Sequence, residues 1–173
     1  NPYKIAYNLN GGVSSNTPTG AVYDKNIEIE APTKEVTVSI AENNQGATLV
    51  KTSYTGTSLF TGWTGSNLSD TALVNNVSWN GTLTKGTTFK NLTSTLNEIV
   101  TLTANYSETN VTLDIPTKDG YTCGYTDTAA GSIKYTTSIT VSDNKTIYVK
   151  CNPNTYTINF DSDGGTTVSS KTA

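Results

Sequence analysis

Large apolar side chains recur at every second position in segment after segment of this chain, and this alternation restricts its fold more than any other feature. Residues 3–9 (YKIAYNL) and 36–40 (VTVSI) place Tyr, Ile, Leu or Val alternately with small or polar residues. The same period appears at 27–30, 100–106, 111–115, 133–135 and 147–151. A period of two marks a strand with one buried and one solvated face, whereas a helix needs a period near 3.6. We therefore predict a mainly β fold with at most one short helix, at residues 66–76, where Ser66 or Ser69 fits an N-cap.

Threonine, asparagine and serine supply 34, 19 and 16 of the 173 residues, and their placement supports the same interpretation. Threonine occupies many positions between the apolar residues, where a β-branched side chain favours extended backbone and leaves its hydroxyl in water. Asparagine or aspartate precedes glycine at 10–12, 80–81, 119–120 and 163–165, a combination typical of tight turns. Short strands separated by such turns predict small antiparallel sheets.

Missing residue types exclude several classes of function. The chain has no His, so Ser-His-Asp and Cys-His catalysis and most zinc sites lack their imidazole. It also has no Arg, and a net charge of −3 with a pI near 4.8 provides no basic surface for nucleic acid or for an anionic membrane. We therefore expect no enzyme activity, no metal, no cofactor and no nucleic-acid partner.

Carboxylates remain as candidate catalysts or ligands, and none is persuasive. Glu28 and Glu30 share a strand face, but charges on an exposed edge strand are explained by protection against edge-to-edge pairing. Residues 161–165 (DSDGG) carry oxygen ligands at alternate positions, as a calcium loop does, but they lack the later bidentate glutamate. A turn is the favoured interpretation there, and no catalytic or metal site is predicted.

The longest apolar stretches are only a few residues, so neither a transmembrane helix nor membrane insertion is expected. The first residues do not have the pattern of a signal peptide. Because no initiator Met is present, we expect an excised part of a longer chain, and we expect it to be a monomer.

An internal repeat organises the chain. YKIAYNLNGG at residues 3–12 returns 153 residues later as YTINFDSDGG at 156–165. FTGWT at 60–64 is echoed by YTCGYT at 121–126, and TLTANY at 101–106 is echoed by TIYVKC at 146–151. The order is an opening strand, a Gly-aromatic segment and a closing strand, then a second Gly-aromatic segment and closing strand, then a new opening strand.

These motifs resemble the internalin B-repeat family, also called the Listeria-Bacteroides repeat, which forms tandem arrays on bacterial surface proteins. The family pattern opens with an aromatic-alternating strand into Asn-Gly-Gly, passes through Gly-Tyr-Thr-Phe-x-Gly-Trp and closes on Leu-Tyr-Ala-x-Trp. The resemblance implies β-grasp-like modules: residues 1–107 as a first module with an insertion, 108–152 as a second, shorter module, and 153–173 as the start of a truncated third. It also implies a non-enzymatic, extracellular stalk or adhesion region of a secreted or wall-anchored protein, with a host or cell-surface glycan or protein as its partner.

Cys123 and Cys151 form one even pair. Two thiols without His cannot close a tetrahedral metal site, which leaves a structural disulfide, two buried free thiols or a redox pair. Within the resemblance, both cysteines stand where the pattern has aromatic residues that are expected to be core neighbours. This implies a disulfide in place of an aromatic contact, in keeping with an extracellular setting.

Trp63, Trp79 and Tyr125 are candidates for a flat, sugar-stacking platform. Trp63 and Tyr125 occupy core positions of the family pattern, so we predict that they pack inside their modules. Trp79 belongs to the insertion and precedes Asn80-Gly81, so we predict that it lies on an exposed loop as a candidate ligand contact. The alternative function is thus a carbohydrate- or host-ligand-binding module that uses this insertion. Lys-Asn or Lys-Asp crosslinks stay open, because the sequence does not say which residues meet.

Overall fold

A computed structural model of the protein describes residues 1–172, which form sixteen β-strands and no helix. In chain order, the first eight are β1 (Pro2–Asn8), β2 (Gly20–Val22), β3 (Asn26–Glu28), β4 (Lys34–Ile40), β5 (Ser53–Ser58), β6 (Phe60–Ser66), β7 (Leu73–Val74) and β8 (Val77–Ser78). The others are β9 (Thr88–Lys90), β10 (Ile99–Tyr106), β11 (Thr109–Thr112), β12 (Tyr121–Thr126), β13 (Ser138–Val141), β14 (Lys145–Pro153), β15 (Thr157–Ile158) and β16 (Lys171–Thr172). The mainly β prediction is confirmed.

The chain divides into two compact units, and each is assembled from three separate segments. The first unit comprises Asn1–Thr37, Thr55–Val111 and Thr140–Lys145, and the second comprises Val38–Tyr54, Thr112–Ile139 and residues 146–172. The module boundaries that the repeats imply, at 107/108 and 152/153, stay a prediction.

The first unit contains a four-stranded sheet in the order β2-β1-β10-β6 and a second one in the order β3-β9-β7-β8. β1 and β10 run parallel, with Ile5 opposite Val100 and Tyr7 opposite Leu102. The sequence predicted antiparallel sheets, so this pair is a correction. Parallel neighbours need a long connection, and residues 9–98 provide it.

The core of the first unit is centred on Trp63, which is fully buried. Its ring meets Tyr7 and Phe60 edge to face, with ring centroids 6.0 and 5.4 Å apart. Such edge-to-face pairs add to the stabilisation from burial. The packing role predicted for Trp63 is confirmed.

Residues 66–76 do not form the short helix that their spacing fitted. Asn67, Asn75 and Asn76 have φ values of 60°, 48° and 64°, which are incompatible with a right-handed helix. Asn75 and Asn76 instead form the two-residue turn between β7 and β8, which pair antiparallel. Asparagine tolerates the left-handed conformation that such hairpin turns require.

In the second unit, β12 pairs antiparallel with β14, and Tyr125 lies opposite Val149. The Ala41 N–H donates to the Ile147 carbonyl at 2.9 Å, and the Ile40 N–H donates to the Thr52 carbonyl at 2.8 Å. These bonds join the C-terminal end of β4 to β14 and to the residue that precedes β5. The apolar side chains at every second position of these strands are buried: Val38, Ile40, Cys123, Tyr125, Ile147, Val149 and Cys151. The short strands β15 and β16 form a separate antiparallel hairpin.

Candidate functional site

Cys123 and Cys151 lie directly opposite each other on β12 and β14, with their Sγ atoms joined in a disulfide. The Cα atoms are 4.1 Å apart, as expected for a non-hydrogen-bonded pair of an antiparallel ladder, where side chains come closest. The backbone agrees, because the Cys151 N–H points away from β12 and donates to Oε1 of Gln45 at 3.0 Å. The bridge therefore crosses one sheet and ties together two neighbouring strands.

The position of this bridge corresponds to an aromatic contact in the first unit. Tyr106, at the end of β10, lies opposite Phe60 of β6, and their rings meet edge to face at 5.9 Å. By the sequence echo, Tyr106 corresponds to Cys151 and Phe60 lies in the segment that corresponds to that of Cys123. The same pair of positions is thus closed by packing in one unit and by a covalent bond in the other.

The pairing around these positions is similar in both units, except that the first ladder shifts register at Thr61, between Phe60 and Gly62, and the second does not. Trp63 lies opposite Ala104 of β10 and forms an isolated bridge with Thr84 on its other side. Tyr125 lies opposite Val149 and forms an isolated bridge with Tyr135. Each Gly-aromatic segment is therefore held between its closing strand and one further extended residue.

The loop that contains Gln45 contacts Cys151 on the side of β14 that faces away from β12. Gln45 has a φ of 53°, and its carbonyl accepts a hydrogen bond of 2.8 Å from Nζ of Lys118. The same ammonium group lies 4.2 Å from the ring centroid of Tyr121, within the range of a cation–π interaction. These contacts hold the Gln45 amide where it accepts the Cys151 N–H.

Trp79 does not lie on an exposed loop, so that expectation is wrong. Trp79 is 5% exposed. Its ring meets that of Phe89 edge to face with the ring centroids 5.8 Å apart, and its Nε1–H donates to the Thr82 carbonyl at 2.7 Å. Gly65 approaches so closely that a β-carbon there would lie 2.5 Å from the ring. The indole therefore packs in the core of the first unit, and its role as a ligand contact stays a prediction.

An open cleft of about 480 Å³ nevertheless borders Trp79. Most of its lining is polar and comes from Ser69, Asp70, Ser78 and Asn80. Such hydroxyl, carboxylate and amide groups can exchange hydrogen bonds with a sugar. Ser78, Trp79 and Asn80 of this lining belong to the insertion, whereas Ser69 and Asp70 precede it.

Two carboxylates of the first unit are held by lysines. Nζ of Lys34 lies 2.5 Å from Oδ1 of Asp143, and Nζ of Lys90 lies 3.0 Å from Oδ1 of Asp24. Hydrogen bonding to the lysine, reinforced by its charge, holds the pKa of each carboxyl below its usual range. The lysine side chains differ, since that of Lys34 is 9% exposed and that of Lys90 is 28% exposed.

Buried phenols serve as structural donors. The Tyr7 hydroxyl donates to the Pro18 carbonyl at 2.7 Å, and the Tyr125 hydroxyl donates to the Asp114 carbonyl at 2.8 Å. Burial raises the pKa of both hydroxyls above the ordinary value, so they remain protonated where an exposed tyrosine would ionise. Tyr125 is 1% exposed, which confirms its predicted packing role.

The acidic positions considered in the sequence have local structural contacts. Glu28 accepts a hydrogen bond from the Thr88 hydroxyl at 3.0 Å, and Glu30 accepts one from the Ser15 hydroxyl. Asp161 accepts the Asp163 N–H at 3.0 Å in a turn. Within residues 1–172, no cluster of three or more His, Cys, Asp or Glu is arranged to hold a metal ion.

Sequence reasoning missed one exposed apolar surface. Tyr156, Ile158 and Phe160 are 59%, 48% and 48% exposed, although of the residues that they repeat Tyr3 and Ile5 are buried and Tyr7 is partly buried. The internal repeat is the signal in the sequence that relates residues 156–160 to residues 3–7.

The fold and the bridge define a mainly β protein that contains a disulfide. Among the described residues, no helix is long and apolar enough to cross a membrane. No family model, curated protein or solved structure matches this chain.

Proposed function

We propose that this chain is a non-enzymatic repeat region of a bacterial secreted or cell-wall-anchored surface protein, and that it serves as a stalk or adhesion module. One observation carries the proposal: equivalent positions hold an aromatic contact between Phe60 and Tyr106 and a disulfide between Cys123 and Cys151. A covalent bond in place of a packing contact stabilises a small unit, and it persists in an oxidising compartment. The motifs shared with the internalin B-repeat pattern support the surface location.

The arrangement of polar groups agrees with a role in holding a shape. The Tyr7 and Tyr125 hydroxyls donate to backbone carbonyls, and two of the ion pairs link segments far apart in sequence, residues 34 and 143 and residues 24 and 90. These contacts stabilise the structure, and none pairs a nucleophile with a base. A stalk needs such cross-links between distant segments because it must keep its form outside the cell.

Surface labelling tests the location. Antibodies raised against the purified chain should label intact, non-permeabilised cells of the source bacterium or recover the protein from the culture medium. Trypsin added to intact cells should remove the cell-associated label. Signal that appears only after permeabilisation, together with two alkylatable thiols in the native protein, would refute the proposal.

The alternative, a carbohydrate-binding module, is favoured by the polar cleft beside Trp79. The carboxylate of Asp70 is the charged group in its lining, so its removal should weaken binding of a sugar without disturbing the core. On a glycan array, saturable binding that Asp70→Asn weakens about ten-fold or more, and that Asp119→Asn leaves unchanged, would favour this function. Absence of glycan binding by the wild-type chain would rule out the carbohydrate-binding function.

A further inference from the structure

The C-terminal hairpin, residues 156–172, exposes an unusual amount of apolar surface. Tyr156, Ile158 and Phe160 are at alternate positions, so their side chains share one face of the extended segment. Their exposed fractions are 59%, 48% and 48%, and Val168 is 50% exposed. Contiguous apolar surface of this kind marks a site of interaction.

The turn of this hairpin is a structural copy of the turn that follows β1. Gly12 donates its N–H to the Leu9 carbonyl at 2.8 Å, and Gly165, 153 residues later, donates to the Ser162 carbonyl at 2.7 Å. In both turns an Asn or Asp side chain accepts the N–H two residues on, at 3.1 and 3.0 Å. The residues before each Gly-Gly pair have φ values of 47° and 43°.

In both hairpins the opening strand pairs antiparallel with the strand that follows its turn. β1 pairs antiparallel with β2, with Lys4 opposite Gly20. β15 pairs antiparallel with β16, with Thr157, the equivalent of Lys4, opposite Thr172. Relative to the pairing of Lys4 with Gly20, the register of β15 and β16 is shifted by one residue.

The two hairpins differ in what lies on the other side of the opening strand. β1 has β10 beside it in parallel register, the N–H of Lys4 donates to the Glu98 carbonyl at 2.9 Å, and Tyr3 and Ile5 are 2% and 3% exposed. β15 belongs to a sheet of two strands within the part of the chain that the structure describes. Its apolar residues are exposed where their counterparts are covered.

We infer that the opening strand at residues 156–160 docks one further strand of the β10 type along its free edge, and that the repeat supplying this strand covers the face formed by Tyr156, Ile158 and Phe160. That strand has apolar residues at alternate positions, as β10 has Val100 and Leu102, and it adds in parallel register to the open side of β15. It ends in a tyrosine that packs against Gly165. Its source is another repeat with the pattern of residues 13–107.

A second copy of the folded chain does not offer such a strand. β10 already has β1 on one side and β6 on the other, so both of its hydrogen-bonding edges are occupied. The occupant must therefore come from a repeat whose own opening strand is supplied by residues 156–165. This inference rests on the repeat construction and not on the cell-surface role proposed above, so the two fail separately.

Hydrogen exchange on a tandem chain tests the inference. The probe is a polypeptide of residues 1–165 followed directly by residues 13–154, compared with the chain of residues 1–173. Amide exchange at 156–160 should be fast in the shorter chain and should slow in the tandem chain to within about ten-fold of the rate at 3–7. Equal rates in the two chains would overturn the inference, and so would an appended copy that stays unfolded, because it would then have gained no opening strand.

Gly165→Ala provides a variant that separates docking from stability. A β-carbon at Gly165 meets only its own turn, whereas one at Gly12 would meet Tyr106. The variant should leave the melting temperature of residues 1–173 unchanged and should speed exchange at 156–160 in the tandem chain by about five-fold or more. Thr155→Ala, at an exposed position, is the control that should change neither.

Sedimentation velocity distinguishes the source of the strand. We expect residues 1–173 to remain monomeric, because no open β10 is available in a second copy. A concentration-dependent dimer in which 156–160 become protected would assign the surface to self-association and overturn the inference.

Discussion

The hydroxyl of Tyr106 lies against Gly12 so closely that a β-carbon on that glycine would be 1.8 Å from the oxygen. The same hydroxyl donates a hydrogen bond of 3.1 Å to the Leu9 carbonyl. The aromatic residue that ends β10 therefore holds the turn that follows β1. Two segments more than ninety residues apart meet at this contact.

Gly12→Ala should destabilise the first unit. The added methyl group displaces the Tyr106 ring and breaks its hydrogen bond, and overpacking of this kind costs about 1–3 kcal/mol. The free energy of unfolding from urea titration measures the loss. Gly20→Ala is the matched control, because a β-carbon there meets nothing within 4 Å, and an equal loss in both variants would contradict the explanation.

Reduction of Cys123–Cys151 should lower the free energy of unfolding of the second unit by about 3–4 kcal/mol, because the bridge closes a loop with a separation of 28 residues. Dithiothreitol should therefore lower its melting temperature and raise the intact mass by two hydrogen atoms. Native protein with two freely alkylated thiols would disagree with the structure.

A double variant tests the equivalence of the bridge and the aromatic pair. Cys123→Phe with Cys151→Tyr places at the bridge the residue types that meet at Phe60 and Tyr106. Under reducing conditions this variant should be more stable than Cys123→Ala with Cys151→Ala, because a ring pair that meets as Phe60 and Tyr106 do buries apolar surface that two alanines do not. Equal stability would argue against the equivalence.

Acid should weaken the ion pair between Lys34 and Asp143. Because the pKa of Asp143 is lower in the folded state than in the unfolded state, its contribution is present above the unfolded value, near 4, and is lost as the pH falls through the folded value. Asp143→Asn should remove this part of the pH dependence of the urea midpoint.

Asp24→Asn is the control for that experiment. Both carboxylates are paired with a lysine, but the side chain of Lys34 is 9% exposed and that of Lys90 is 28% exposed. Loss of the partner leaves a more deeply buried ammonium at Lys34. The Asp143 variant should therefore lower the urea midpoint at neutral pH more than Asp24→Asn does, and the reverse order would contradict the role of burial.

Trp79→Ala should cost about 3–5 kcal/mol of stability, because it removes a core indole that contacts Phe89. Thermal unfolding of the variant and the wild-type chain measures this loss of stability. Val77→Ala, two residues away and 67% exposed, should change the stability by less than about 0.5 kcal/mol. If Trp79→Ala is as stable as Val77→Ala, the indole does not pack as described.

Local patterns were sufficient for the strands and several contacts within them. The period-two segments became β1, β4, β10 and β14, because alternation records which face of a strand is buried. The resemblance to the family pattern predicted that Cys123 and Cys151 are neighbours, and the structure places them directly opposite each other on β12 and β14.

Long-range packing decided the features that local patterns missed. Residues 66–76 had helical spacing, but the left-handed asparagines at 67, 75 and 76 and the pairing of β7 produced turns and a hairpin. Trp79 looked like a loop residue because it precedes Asn80-Gly81, yet Gly65 and Phe89 enclose it. Neither partner is adjacent in sequence, so no window around Trp79 contains the information.

By itself, the sequence determined the mainly β class and the turns, because side-chain alternation and Asn-Gly turns are each expressed within a few residues of chain. It left the state of the cysteine pair open, and only the family resemblance implied a disulfide. Only the tertiary structure decided that β1 runs parallel to β10, that Tyr106 closes over Gly12, and that Tyr156 is exposed while Tyr3 is buried. The physical reason is that these outcomes depend on which distant strand occupies the open side of an opening strand. Two opening strands with the same alternating pattern therefore end in opposite environments.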